Sequence, residues 1–85
     1  MTSDDVKRTL KAIIAEVCAV EPSTITDDTS IDNDLEIPSV AFVELQVAME
    51  AAFDIFVDPM ELIELNKFKL IAERIYKKAI EVAER

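Results

Sequence analysis

The chain has 85 residues, of which 51% are hydrophobic, a formal net charge of −9, and neither histidine nor glycine. This length predicts one small domain over residues 1–85. Because the chain has no histidine and no glycine, it lacks the most common general base and cannot form a glycine-rich phosphate loop. The negative charge excludes nucleic acid as a natural partner, because it repels phosphate. Since there is no long apolar run and no apolar leader, we predict a cytoplasmic protein without membrane insertion.

The first predicted helix begins at Thr2 or Ser3 and ends at or before Glu21, because Pro22 disfavours the helical conformation in the residue before it. Apolar residues recur along this helix at three- and four-residue spacing, as on one buried face: Val6, Leu10, Ile13, Ile14 and Val17. The single cysteine, Cys18, lies in this pattern and excludes an intrachain disulfide. We predict that it is a buried apolar side chain.

A long polar connection follows, from Pro22 to Pro38. Isolated apolar residues occur along it at Ile25, Ile31, Leu35 and Ile37. Their regular spacing predicts an ordered but irregular loop held on the core. The alternating oxygen ligands of residues 32–34 suggest a calcium loop, but Ile37 and Val43 would then occupy the positions of the required glycine and bidentate glutamate. We therefore expect no metal site.

The second predicted helix runs from about Ser39 to Phe53 and has two apolar stripes on opposite faces. The predicted core face consists of Phe42, Leu45, Met49, Ala52 and Phe53. The other stripe consists of Val40, Val43, Val47 and Ala51, flanked by Glu44 and Glu50. One helix packed on one side of a core cannot bury both faces. The second stripe is therefore either a docking surface or a face covered by a third element.

The remainder of the chain predicts two more helices after a short extended linker at residues 54–57, which is apolar enough to face inward. Asp58 caps a short third helix with Pro59 at its first position and Glu61 completing a capping box, and this helix closes by Leu65. Asn66 is predicted to cap the fourth helix, whose inward residues are Phe68, Ile71, Ala72, Ile75, Ala79 and Val82. The fold class is therefore all-α, a small four-helix bundle with three longer helices, a short third helix and a long first loop.

Several short motifs follow one another along nearly the whole chain. They are Val20-x-Pro22, Asp34-Leu35, Ser39 at the start of the second helix, Val43-Glu44-Leu45 and Glu50-Ala51-Ala52-Phe53-Asp54-Ile55. As an ordered set they resemble the acyl carrier protein and peptidyl carrier protein family. The family usually has Asp-Ser-Leu, with a glycine two residues before the aspartate. Here Pro38-Ser39-Val40 and Glu36 occupy those positions, which indicates a specialised member.

The resemblance implies that Ser39 carries 4′-phosphopantetheine, attached from coenzyme A by a separate phosphopantetheinyl transferase. The thiol of this arm would hold an acyl or aminoacyl group as a thioester. The family's enzyme-contacting positions correspond here to Val40, Val43, Glu44, Val47 and Glu50. The helical angles select the same region of the second helix without reference to the family.

The resemblance also implies a carrier with no catalytic activity of its own, which we expect to be a monomer. Its partners would be the transferase, an acyl- or aminoacyl-loading enzyme, and downstream synthases or transferases of fatty acid, polyketide, nonribosomal peptide or related biosynthesis. The alternative function is an acidic helical interaction module, an adaptor or inhibitor without a prosthetic group. In that case Ser39 would only cap its helix, and Val40, Val43 and Val47 would bind the partner.

Overall fold

Four α-helices and one short 3₁₀ helix make up the regular structure of residues 2–35 and 38–83, which are the residues that the computed structural model describes. The elements are α1 (Ser3–Cys18), a 3₁₀ helix (Pro22–Thr24), α2 (Ser39–Phe53), α3 (Pro59–Leu65) and α4 (Phe68–Ala83). In these residues the only β-type pairing is one isolated bridge between Ser30 and Lys67. The predicted all-α class, with a long first loop and a short third helix, is confirmed.

Helix α1 begins with a reciprocal capping box. The side-chain oxygen of Thr2 accepts a hydrogen bond from the backbone N–H of Asp5 at 3.1 Å, and the Asp5 carboxylate accepts from the N–H of Thr2 at 3.0 Å. Of the two predicted caps, Thr2 is therefore the right one. The helix ends at Cys18 because Ala19 takes the left-handed conformation, with φ 55°.

Helices α1 and α3 each pack against both α2 and α4. The core lies between the four helices. The buried residues of α2 are Ala41, Phe42, Leu45, Met49 and Phe53. This confirms the predicted core face except at Ala52, which is exposed. Ala41 and Ala52 lie on the same flank of the apolar face, so burial at either position depends on whether a neighbouring element covers that turn.

The long first loop is ordered and is held by Asn66. Ile25 and Ile31 are buried and Leu35 is half-buried, as predicted, whereas residues 36 and 37 lie outside the described part of the chain. Asn66 accepts hydrogen bonds from the Ser30 hydroxyl at 2.7 Å and from the N–H of Ile31 at 2.9 Å.

The predicted role of Asn66 as a cap of the fourth helix is therefore wrong. Asn66 is the C-cap of α3, with φ 63°, and its side chain faces the first loop. An asparagine tolerates positive φ better than most residues, which explains its place at this corner.

Helix α3 begins as predicted, with Asp58 accepting from the N–H of Met60 at 2.9 Å and Pro59 at the first helical position. The predicted capping box is wrong, because the Glu61 carboxylate instead accepts from the Lys78 ammonium at 2.6 Å and lies 3.6 Å from Arg74. These ion pairs tie α3 to α4.

The linker before α3 is held inward only at alternate positions. Ile55 and Val57 are buried, but Phe56 is 74% exposed, so the prediction of an inward-facing linker is wrong for that residue. Side chains of an extended segment alternate between faces, which accounts for the difference. Of the residues of α4 that were predicted to face inward, Phe68, Ile71, Ala72 and Ile75 are buried, and Ala79 and Val82 are half-buried.

Candidate functional site

Ser39 is the first residue of α2, and its side chain is exposed. The N-cap position belongs to Pro38, which has an extended conformation (φ −70°, ψ 160°) and makes no side-chain capping hydrogen bond. Proline is compatible with this position because the first backbone N–H groups of a helix have no acceptor within the helix. The missing N–H of proline therefore removes no helical hydrogen bond. The interpretation of Ser39 as the cap of its helix is therefore wrong.

The N-terminus of α2 has room for an added anion. Helices α1 and α3 begin with side-chain caps from Thr2 and Asp58, whereas α2 has none, and its first turn contains no acidic residue. The N–H of Ala41 donates to the Pro38 carbonyl at 2.9 Å, a bond that closes the first turn. Helix N-termini carry partial positive charge and free N–H groups, which favour phosphate. The residues present therefore fit a phosphate ester on Ser39.

The predicted second stripe of α2 is exposed. Val40 is 62% exposed, Val43 50% and Val47 60%, and Ala51 is also exposed. The opposite face of the same helix is in the core. No element of the described residues covers this stripe, so the alternative of burial by a third element is wrong. Three branched apolar side chains in a row on one exposed face are a feature of interaction surfaces.

The two acidic residues that flank this stripe differ in their surroundings. Glu44 is exposed, whereas Glu50 is half-buried and its Oε2 accepts a hydrogen bond from the backbone N–H of Val57 at 3.0 Å. This contact could not be predicted from the sequence, because Glu50 and Val57 lie in different elements. Binding of a partner by Val40, Val43, Glu44, Val47 and Glu50 remains a prediction.

Cys18 lies near the same helix without offering a nucleophile. Its side chain is half-buried at the end of α1 and packs on the core. Burial raises the pKa of the Cys18 thiol above its ordinary value, and the negative charge of Glu44 raises it further. The thiol is therefore protonated at neutral pH, in line with its predicted apolar role.

Two further kinds of site find no support in the described parts of the chain. No three His, Cys, Asp or Glu side chains there lie close enough to hold a metal ion. No helix there has the length and the apolar character needed to cross a membrane.

Comparison with known proteins supports the likeness seen in the sequence. A family model described as "Phosphopantetheine attachment site" matches residues 8–75. An acyl carrier protein from Rhodococcus erythropolis is 34% identical over 83 residues, covering 98% of this chain and 91% of that protein. An acyl carrier protein from Petrotoga mobilis is 29% identical over 79 residues, covering 88% of this chain and 93% of that protein. A non-reducing polyketide synthase from Emericella nidulans is 32% identical over 71 residues, which are 84% of this chain but 3% of the synthase.

Proposed function

Because this chain belongs to the family of acyl and peptidyl carrier proteins, which bear a covalent 4′-phosphopantetheine, we propose that Ser39 is the attachment residue. The chain then carries an acyl or aminoacyl cargo between enzymes of fatty acid, polyketide or related biosynthesis. The single observation that carries this proposal is the position of Ser39. Its hydroxyl is exposed at the first residue of a helix whose N-terminus has no side-chain cap.

Ser3 provides an internal comparison, since it is also exposed and also the first residue of a helix. The start of α1, however, is already closed by the capping box of Thr2 and Asp5, and its first turn contains Asp4 as well. A phosphate on Ser3 would meet two carboxylates and an occupied helix end, whereas a phosphate on Ser39 would meet neither. The local electrostatics therefore favour Ser39 over Ser3.

The chemistry at Ser39 requires little of the chain itself. The Ser39 Oγ loses its proton and forms a bond to phosphorus, while the pyrophosphate bond of coenzyme A breaks and releases the adenosine bisphosphate. A transferase supplies the base and the activation, so no histidine is needed near Ser39. Once attached, the group supplies a thiol that holds the cargo as a thioester. The chain's own residues position the serine at the solvent-exposed end of α2.

The exposed stripe of α2 begins next to Ser39 and is the proposed docking surface for the transferase and the other enzymes. Val40, Val43 and Val47 would fill apolar depressions of a partner, and Glu44 would face basic residues at the edge of the contact. Such a surface is small, which suits a carrier that must leave one enzyme for the next. Glu50 contributes charge at the far end, although its carboxylate is held by Val57.

The attachment proposal is tested by coexpressing the full chain with broad-specificity phosphopantetheinyl transferases and measuring the intact mass. We expect the mass of one phosphopantetheine to be added to the wild type and to Ser3→Ala, and none to Ser39→Ala. Only unmodified protein with several transferases, or continued modification of Ser39→Ala, would overturn the proposal.

The docking proposal is tested by the rate of that modification in Val43→Asp. A charge in the middle of the apolar stripe should slow the transferase by about tenfold, since interface residues of this kind contribute about 1–2 kcal/mol. Ile80→Asp is the matched control, because Ile80 is 37% exposed on α4. Equal slowing by both variants would place docking elsewhere or reflect net charge alone.

The alternative function, an interaction module without a prosthetic group, has Val40, Val43 and Val47 as the partner-binding residues and gives Ser39 only the role of a helix cap. That role is removed by the position of Pro38. No other observation in the described residues favours the alternative over a carrier.

A further inference from the structure

A basic region stands out on this acidic chain. Residues 67–78 contain five Lys and Arg residues and one Glu, a local charge of +4 in a chain whose net charge is −9. The region comprises most of α4 and the residue before it. A local charge of this sign presents a positive surface within an otherwise negative field.

Within this region lies a cleft of about 250 Å³ between the end of α3 and the outer side of α4. Its walls are formed by Leu65, Leu70, Glu73, Arg74 and Lys77. Leu70 is 41% exposed, although it is a large apolar side chain. At about 100° per residue, Leu70, Arg74 and Lys77 lie within about 60° of one another around the helix axis. The cleft therefore has an apolar floor with cations beside it.

The cations around the cleft are only partly neutralised. Arg74 pairs with Glu61 at 3.6 Å. Lys77 is exposed and takes part in none of the ion pairs formed among residues 2–35 and 38–83. Glu73 is the one carboxylate in the cleft wall, and it lies at the edge of the basic face. The surface can therefore accept additional carboxylates.

The position of the cleft in the bundle separates it from Ser39. Helix α4 packs against α1 and α3, and α2 packs against the same two helices, so α2 and α4 occupy opposite corners of the bundle. A molecule bound on the outer side of α4 would leave the exposed stripe of α2 open to enzymes. Binding at the two surfaces could therefore occur together.

We propose that this cleft binds an acidic peptide segment of a partner protein, with one apolar side chain in the cleft and carboxylates against Arg74 and Lys77. The volume suits a side chain, because it is smaller than the roughly 300–1,000 Å³ of small-molecule sites. A short acidic segment would meet only the local positive charge. Membranes and nucleic acids are extended polyanions and would be repelled by the rest of the chain. The inference does not depend on the modification of Ser39.

The test measures fluorescence polarisation of a labelled peptide in which glutamates surround one leucine, titrated with the full chain at low salt. We expect saturable binding that weakens as salt is added, and none for a peptide with lysine in place of glutamate. Reversing the charge in Lys77→Glu should weaken binding by about fivefold, since an exposed pair contributes up to about 1 kcal/mol. Leu70→Gln should also weaken binding of the peptide. Because this variant removes an apolar contact, its effect should persist at high salt.

The matched control is Lys69→Glu, because Lys69 is an exposed lysine of the same helix that does not line the cleft. It should bind the peptide about as the wild type does. The absence of binding by the wild type, or an equal loss in Lys69→Glu, would overturn the proposal.

Two further measurements distinguish other occupants. Sedimentation equilibrium that shows self-association abolished by Lys77→Glu would identify a second copy of this chain as the occupant and would overturn the proposal. Cosedimentation with phosphatidylserine vesicles that the same variant abolishes would identify an anionic membrane and would likewise overturn it. A monomeric chain that does not bind the vesicles but binds the glutamate peptide supports it.

Discussion

The carboxylate of Glu50 accepts a hydrogen bond from the backbone N–H of Val57, with 3.0 Å between Oε2 and N. The contact joins the last turn of α2 to the linker that leads into α3, where Val57 itself is buried. An acid that sequence reasoning placed on a docking surface therefore also holds the chain between two helices. A carboxylate that satisfies a backbone donor stabilises more than a neutral acceptor does.

Glu50→Ala should therefore lower the free energy of unfolding by about 1–2 kcal/mol, because the N–H of Val57 would lose its partner. Glu50→Gln keeps an oxygen that can accept the bond and should cost about half as much or less. Urea unfolding followed by circular dichroism measures both. Equal losses in the two variants would show that charge rather than the hydrogen bond matters here.

Ser39→Ala should change the free energy of unfolding by no more than about 0.5 kcal/mol, since an exposed first-turn residue that makes no capping bond contributes little. Asp58→Ala is the matched comparison, because Asp58 does cap its helix. It should cost about 0.5–2 kcal/mol. Thermal unfolding of both variants checks the difference, and a loss in Ser39→Ala as large as in Asp58→Ala would restore a capping role for the serine.

Phe53 and Phe56 form a second matched pair, since both are phenylalanines but only one is in the core. Phe53 is 6% exposed and Phe56 is 74% exposed. Phe53→Ala should destabilise the fold by about 3–5 kcal/mol through the lost burial and the cavity left behind. Phe56→Ala should change stability by about 0.5 kcal/mol or less. A small effect at Phe53 would mean that the two faces of α2 are assigned the wrong way round.

Cys18 should react slowly with iodoacetamide at neutral pH, because a raised pKa leaves little thiolate and the side chain is half-buried. The rate should rise with pH and reach its half-maximum above the ordinary thiol pKa. Glu44→Gln removes a negative charge that raises the Cys18 pKa, so it should move the profile to lower pH. Glu16→Gln is the control and should leave it in place. A midpoint at or below the ordinary value would contradict the electrostatic assignment.

Much of the fold followed from the spacing of apolar residues. The helical periods of α1, α2 and α4 predicted most of their buried residues, because residues three and four apart share one side of a helix. The same periodicity separated the buried face of α2 from its exposed face. Ala52 was predicted to be buried but is exposed. It lies on the flank of the apolar face, where burial depends on whether a neighbouring element covers it.

The side-chain partners of polar residues could not be predicted in the same way. Asn66 was expected to cap the next helix, and Glu61 to complete a capping box, yet each bonds to a residue far along the chain. Local rules describe what a side chain can do within its own turn. They do not show whether folding brings a stronger partner close to the same side chain.

By itself, the sequence determined the all-α class, the two faces of α2 and the place of Ser39 at the start of that helix. These features depend on residues close together in the chain. Only the tertiary structure decided that Pro38, and not Ser39, occupies the cap position and that Glu50 holds Val57. It alone brought Leu65 beside Arg74 and Lys77 to form a cleft. Backbone angles at a helix end and contacts between elements depend on how the helices pack. That packing brings together residues far apart in the chain, so local sequence patterns do not predict it.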